Sequence, residues 1–272
     1  MNLRILIVFF FLTFLQNSYS QEDAKLLPSE SSQGKVLNTF MFEVGSARRA
    51  DTYLSPIHYS GWTGKLGYEH IRAFEARPLM WKLNVNLGID RTVNKVKNSA
   101  MLGAQIEGRW SLLRRWRVSN FAELGAGGAA TLDAGALYLS RNGNNPVAAN
   151  ASLTADVAGY ASVCFRLGRL PVVANYHVAL PVVGGMFAPD YAQLYYEIYL
   201  GDHKGLLSAA YWGRYFRIDQ MLSVNLNVGP HQLTLGYGVD VLSTKVHDII
   251  SRRIDHTVVV GITTGWLSYY KK

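Results

Sequence analysis

The chain predicts an all-β fold: a transmembrane, antiparallel, up-and-down β-barrel of about 12 strands behind a cleaved signal peptide. Three observations carry this expectation. Apolar and polar residues alternate with period two over most of the chain, which gives each strand one greasy and one wet face. The alternating segments run to about 10 to 13 residues, longer than the usual five or six of soluble strands and near the length a tilted strand needs to cross a bilayer. All eight prolines fall where this segmentation starts, stops or turns a strand, as befits a residue that cannot donate to a sheet ladder.

Composition agrees. Only 17% of the 272 residues are charged and 49% are hydrophobic, with 12% aromatic and a formal net charge of +8. Disordered chains lack such aromatic content. One cysteine, Cys164, excludes a disulfide or zinc scaffold and reads as a small buried filler.

The N-terminus reads as an export signal. A positive start through Arg4 precedes an apolar run over 5–15, and Ser18 and Ser20 precede a cut that leaves Gln21. Eleven residues span only about 16 Å as a helix, half of what a membrane anchor needs. The expected organisation is a signal peptide at 1–20, a flexible periplasmic lead-in at 21–36 and the barrel at 37–272. The other long apolar stretch, 170–187, contains Pro171, Pro181, Gly184 and Gly185, which exclude a spanning helix.

The strands are expected near 37–49, 59–71, 79–90, 99–111, 118–130 and 154–167, then 170–180, 191–201, 206–216, 219–229, 231–242 and 255–268. In 81–90 every odd position is apolar and every even one polar or Gly. An even count brings both ends to one side. Connections at 72–77, 112–117, 168–169, 202–204 and Pro230 are short, like periplasmic turns; those at 51–58, 91–98, 131–153, 181–190 and 243–254 are longer, like external loops. Only the connection near Arg217 breaks this rhythm. Trp62, Tyr68, Trp81, Trp110, Tyr196, Tyr215 and Trp266 are the candidate interfacial girdles. The last strand closes on Trp266, Tyr269 and Tyr270, the aromatic-rich end that barrel-insertion machinery reads, although Ser268 and the final lysines depart from the usual signal.

The segment Gly45-Ser46-Ala47-Arg48-Arg49-Ala50, continuing as Asp51, Thr52, Tyr53, Leu54, Ser55 and Pro56 and followed by Tyr59 and Gly61, resembles the N-terminal signature of an uncharacterised outer-membrane β-barrel family of Gram-negative bacteria. The resemblance implies the fold and an outer-membrane location. It brings no activity, cofactor or catalytic residue.

Chemistry-bearing groups are sparse. A lipid hydrolase, the main kind of enzyme built on such barrels, needs a serine beside an oriented histidine. His177 shares a face with Asn175, but Ala179 stands where the nucleophile belongs; His58 and Ser60 form the one testable pair. The expectation is no enzyme, no metal and no cofactor, although His247-Asp248 and Asp255-His256 flank one external loop where a cation could bridge lipopolysaccharide phosphates. Arg252 and Arg253 in that loop would meet the same phosphates. The basic run Arg114, Arg115 and Arg117 around Trp116 reads as an interfacial turn, and an exported barrel meets no nucleic acid.

With the apolar faces toward lipid, the inward set holds Glu43, Lys65, Glu69, Lys82, Glu107, Arg109, Glu123, Asp156, Arg166, Glu197, Arg214 and Asp240. Interleaved charges of both signs fit either a narrow channel with opposed walls or a salt-bridged, nearly solid interior; 131–153 could fold inward and constrict a channel. The leading expectation is a narrow passive channel for small polar solutes in the outer membrane. The second is a non-conducting barrel acting through its loops, and the third a lipid hydrolase. Expected partners are outer-membrane lipid, lipopolysaccharide and the insertion machinery.

Overall fold

The structure is a computed structural model that describes residues 35–74, 78–143, 145–168, 170–190, 195–201, 203–228 and 231–264. The signal peptide, most of the lead-in, Pro28, Pro230, Trp266, Tyr269 and Tyr270 lie outside the described residues.

Period-two alternation produces long antiparallel strands: β1 (Lys35–Asp51), β2 (Ser55–Ala73), β3 (Leu79–Asn94), β4 (Ala100–Arg117), β5 (Ala122–Leu139), β6 (Val147–Leu167) and β7 (Leu170–Phe187), then a single helical turn α1 (Tyr195–Tyr199), β8 (Leu207–Tyr211), β9 (Tyr215–Val228), β10 (His231–Val246) and β11 (Ile249–Thr264). Each strand from β1 to β7 pairs with the next, β7 pairs with β9, β9 with β10, β10 with β11, and β11 with β1. Ten strands therefore close the ring. The short β8 pairs only with the outer end of β7, Val183–Phe187.

This corrects the expected twelve. Among residues 191–201 the described part forms α1 rather than a strand, and 206–216 is β8 followed by a turn at Gly213, whose φ of 108° a side chain rarely adopts. Tyr215 and Phe216 already belong to β9. The expected strands are also too short. Strand β6 has 21 residues and β5 has 18, so most of 131–153 is paired sheet and no long loop is left to fold inward there. The connection at 243–254 shrinks to the pair His247 and Asp248, both at positive φ (48° and 61°), the geometry that two-residue hairpin turns require.

One proline contradicts its expected place. Pro181 lies inside β7, at a bulge opposite Asp156. On the other side of β7 the pairing with β9 ends at Ala179 and that with β8 begins at Val183. Pro181 thus occupies a gap where no partner strand needs its missing N–H. The indole of Trp212 donates to the Pro181 carbonyl across this gap at 2.5 Å.

The ring is narrow. Followed from Glu43 through β2 to β5, the register arrives at Asn150 of β6; followed through β11, β10, β9 and β7, it arrives at Ser162. The closure therefore carries a stagger of twelve residues, from position 150 to 162. A barrel of this size is only slightly wider than the eight-stranded ones whose interiors side chains fill.

The outward faces are apolar: Phe40, Phe42, Leu66, Leu87, Ile89 and Ile262 are among the side chains left more than half exposed. From Trp81 to Ile89 the outward face of β3 makes a band about 20 Å tall at the tilt usual for membrane barrels. Trp62, Tyr68, Trp81 and Trp110 stand on this outer surface as expected. Tyr215 does not; it is buried in the lumen at 3% exposure, and Tyr196 sits on α1. Both chain ends of the described barrel lie at the end with short turns, as the register Asn38 to Thr264 shows.

Strand closure needs bare backbone at the seam. A Cβ on Gly45 would stand 1.8 Å from the His256 carbonyl oxygen of β11. Gly45→Ala should therefore destabilise the barrel by about 1–3 kcal/mol, read as a lower temperature at which the compact band is lost on a heat-modifiable gel, whereas Ala at Gly108, which meets open space, should leave it unchanged.

Candidate functional site: a charged layer across the lumen

Inward positions alternate with the outward ones, and that parity sorts charge. Every Asp and Glu of the described strands falls on an inward position, from Glu43 of β1 to Asp255 of β11. The outward positions carry cations: Arg48, Arg72, Arg91, Arg114, Lys245 and Arg252 are all exposed.

The central layer is built on two arginines. Arg217 of β9 grips Asp240 of β10 in a fork, Nε to Oδ1 at 2.9 Å and Nη2 to Oδ2 at 3.0 Å. It also reaches over the lumen to Asp133 of β5 at 3.3 Å and to Glu107 of β4. Arg253 of β11 donates to Asp133 at 2.8 Å and to Asp240 at 3.2 Å. Strand β5 is five strands from β11 in either direction round the ring, so the Arg253–Asp133 pair joins diametrically opposite walls.

Like charges surround these arginines. Asp240 is directly opposite both Asp255 and Asp219 in the register, and Glu107 is opposite Asp133. Facing carboxylates repel, so each such pair needs a cation. Arg109 of β4 binds Asp219 of β9 at 2.5 Å and donates to Thr131 at 3.0 Å; Thr131 and Thr154 in turn donate to Asp156 at 2.5 and 2.7 Å. Arg49 spans Asp90 at 2.8 Å and Asp255 at 2.5 Å. Lys65 meets Asp255 at 3.0 Å, and Lys82 meets Glu69 at 2.5 Å.

Small cavities flank this layer. Toward the short-turn end one of about 90 Å³ lies among Glu43, Lys82, Asn84 and His177. There Glu43 accepts from Thr257 at 2.8 Å, and His177 stacks on Tyr160 with ring centres 5.9 Å apart. Toward the loop end one of about 100 Å³ lies among Asp90, Asn150, Tyr195 and Tyr215.

Apolar clusters cover both. Below, Met80, Leu113, Ala129, Ala158, Tyr160 and Ala179 pack together, beside Glu123, which is held bidentately by Arg115 at 2.6 and 2.7 Å and contacts the Tyr160 hydroxyl. Above, the motif at the β1–β2 turn does the covering. Asp51 accepts from the Tyr53 N–H at 3.0 Å, and Thr52 exchanges hydrogen bonds with the Ile250 backbone at 2.8 and 3.0 Å. That turn folds Tyr53 and Leu54 into a cluster with Tyr59, Met101, Leu137 and Leu139. Ser55 accepts from Tyr59 at 3.5 Å, and Pro56 opens β2 exposed. Tyr195 of α1 packs edge-on against Tyr53 and accepts from the Ala149 N–H at 2.6 Å.

Of the expected lumen residues, Glu43, Lys65, Glu69, Lys82, Glu107, Arg109, Glu123, Asp156 and Asp240 face inward. Three do not line it. Glu197 is exposed on α1, Arg214 is exposed in the β8–β9 turn over the Tyr211 ring, and Arg166 is exposed at the end of β6. Arg217 and Arg253, expected in a connection and an external loop, are instead buried in the centre. Arg49, Asp90, Asp133, Asp219 and Asp255 also escape the sequence-based set. Arg217, Arg253 and Asp133 follow from continuing the alternation past the expected strand ends, and Arg49, Asp90, Asp219 and Asp255 are end residues of the expected strands: 253 and 255 share parity with the inward Thr257 and Val259.

No metal-holding group of His, Cys, Asp and Glu occurs among the described residues. The expected loop site dissolves because Asp255 points inward, buried at 1%, while His256 points outward and bonds Tyr237 at 3.0 Å. His58 and Ser60 are both exposed. Cys164 is buried, as expected.

A family model described as a protein of unknown function, DUF3316, matches residues 5–272. The chain belongs to that family. Among curated proteins nothing matches. Among solved structures the DUF3316 chain is similar to the translocator domain of the autotransporter NalP from Neisseria meningitidis, with 6% identity over 87% of this chain and 90% of that one at a TM-score of 0.38. It is also similar to the β domain of the Bordetella autotransporter BrkA, with 11% identity over 86% and 100% of the two chains at 0.37. A third likeness is to the COG4313 outer membrane channel from Pseudomonas putida F1, with 12% identity over 92% and 100% at 0.35.

Removing one partner of a buried ion pair leaves a bare charge, which costs about 3–5 kcal/mol. Arg217→Met leaves Glu107, Asp133 and Asp240 facing one another and should destabilise the folded barrel by that amount in urea titrations in lipid vesicles. Adding Asp240→Asn should recover part of the loss.

Proposed function

We propose that this DUF3316 protein is an outer-membrane β-barrel that is sealed rather than conducting, and that it acts through its outer surface and loop end as a surface-binding or envelope-stabilising protein. The observation that carries this reading is the ion pair between Arg253 and Asp133 on opposite walls, joined by Arg217 between Asp240 and Glu107. A solute moving along the lumen would have to part several desolvated, multiply bonded pairs at once, and the apolar clusters at either end add further barriers. Placement in the outer membrane of a Gram-negative bacterium is supported by the apolar outer band, the signal-like N-terminus and the closed ring, which alone satisfies strand edges in lipid.

The narrow passive channel expected from the sequence is the second reading, favoured by the two cavities that flank the charged layer; it requires that layer to part. Lipid hydrolysis is a third. His58 and Ser60 stand exposed on β2, and Ser60→Ala should leave lipid turnover by the purified barrel at background.

Planar-bilayer recording separates the first two. Refolded barrel, certified by heat-modifiable migration, should give no steps at moderate voltage. The quadruple variant Asp133→Ser, Arg217→Ser, Asp240→Ser and Arg253→Ser, which empties the layer and leaves Glu107 its second partner Arg109 at 3.2 Å, should give small, cation-preferring steps because Glu43, Glu107, Asp219 and Asp255 remain. Steady conductance by the unmodified barrel would make it a channel.

A further inference from the structure

We propose that Arg48, Arg91 and Arg252 form a phosphate site on the outer surface of β11, β1, β2 and β3, and that its occupant is the bisphosphorylated, acylated disaccharide of lipopolysaccharide, lipid A. The site differs from the loop pair expected from sequence: Arg253 has turned into the lumen, and Arg48 and Arg91 take its place beside Arg252.

The register sets the geometry. Arg48 of β1 is opposite Ile254 of β11, while Arg252 is opposite Ala50 and His256 opposite Ser46. Both Arg252 and His256 are therefore diagonal neighbours of Arg48, at the roughly 7–8 Å backbone spacing from which long side chains converge. On the other flank Arg48 is opposite Ser60 and Ser46 opposite Trp62, and Trp62 is opposite Arg91 of β3. Arg48 is thus the centre of a patch with Ser60, Trp62 and the Tyr237–His256 pair around it.

All three arginines are exposed, and no carboxylate among the described residues lies within ion-pair reach of them. This is a consequence of the charge sorting: the strand carboxylates face inward, so the outer surface offers cations with no internal partner. A guanidinium fork suits a phosphate bidentately.

Lipid rather than a soluble anion fits what lies below. Val44, Leu66, Leu87, Ile89, Val258 and Val260, immediately toward the short-turn end on the same strands, are exposed apolar side chains where acyl chains would rest. The patch is at the loop end, opposite the termini, which places it in the outer leaflet of an exported barrel.

The inference rests on the outer-membrane placement and not on the sealed lumen. Refolded, lipid-free barrel would be incubated in detergent with bisphosphorylated lipid A, its dephosphorylated form or phosphatidylglycerol, and retained lipid counted by native mass spectrometry. Lipid A should be retained preferentially, and Arg48→Gln with Arg91→Gln and Arg252→Gln should lower retention at least about tenfold, the size expected from losing charged hydrogen bonds. Arg72→Gln with Arg114→Gln, at the opposite rim, should leave it unchanged. Equal retention by the triple variant, equal loss in the opposite-rim variant, or equal uptake of dephosphorylated lipid A or phosphatidylglycerol would overturn the proposal. If the triple variant misses its heat-modifiable shift, Arg48→Gln alone carries the test. A barrel that inserts and shifts normally but ignores lipid A refutes this site and leaves the membrane placement standing.

Discussion

Everything inside this barrel is arranged around the cost of burying charge. A carboxylate withdrawn from water is unfavourable unless paired and hydrogen-bonded, and the inward faces hold Asp240 against Asp255 and Asp219, and Glu107 against Asp133, in directly opposed positions. Two arginines relieve that repulsion on both walls at once: Arg217 and Arg253 bind Asp240 from the neighbouring β9 and β11 and reach Asp133 on the opposite wall, because the guanidinium fork can serve several carboxylates. The pairs that neutralise the walls consequently tie them together, and a narrow ring with a stagger of twelve residues from position 150 to 162 brings opposite walls within an arginine's reach.

The outer surface follows from the same sorting. With the strand carboxylates inward, the exposed faces retain only cations, and these collect above and below the apolar band: Arg72 and Arg114 near the termini, Arg48, Arg91 and Arg252 near the loops. Trp116 lies under Arg114 with 5.8 Å between guanidinium and ring centre, a pairing suited to the membrane interface. The motif around Asp51 to Pro56, which carried the family resemblance, has an architectural task. Its backbone turn seats Tyr53 and Leu54 over the mouth, where α1 meets them through Tyr195.

How much of this was legible in the sequence depended on the range of the interactions. Period-two alternation is local, so the all-β barrel, the outward-facing apolar residues and inward groups such as Lys65, Glu107 and Asp240 could be read directly. Strand ends could not, since nothing local marks where pairing stops; segments cut to bilayer length left Arg253 and Asp133 in loops and Arg217 in a turn. The region after β7 failed for a related reason. Tyr195 to Tyr199 has strand-like composition, but β9 already occupies the place beside β7 and β10, so no sheet edge remained for a twelfth strand. Pro181 misled in the opposite sense, because only the tertiary gap between β8 and β9 makes a proline harmless there. Above all, pairing between residues more than a hundred positions apart, as in Arg217 and Glu107, leaves no trace in spacing.

The most direct test of the central claim is one-sided labelling of the lumen. In a Cys164→Ala background, Asn84→Cys places a thiol in the cavity toward the termini and Asn150→Cys one in the cavity toward the loops. In oriented proteoliposomes a small, charged, membrane-impermeant thiol reagent added on the loop side should leave position 84 unlabelled, and the same reagent added on the other side should leave position 150 unlabelled, while both thiols react once the barrel is unfolded. Labelling of position 84 from the loop side, or of position 150 from the other, would mean that the charged layer does not seal the barrel.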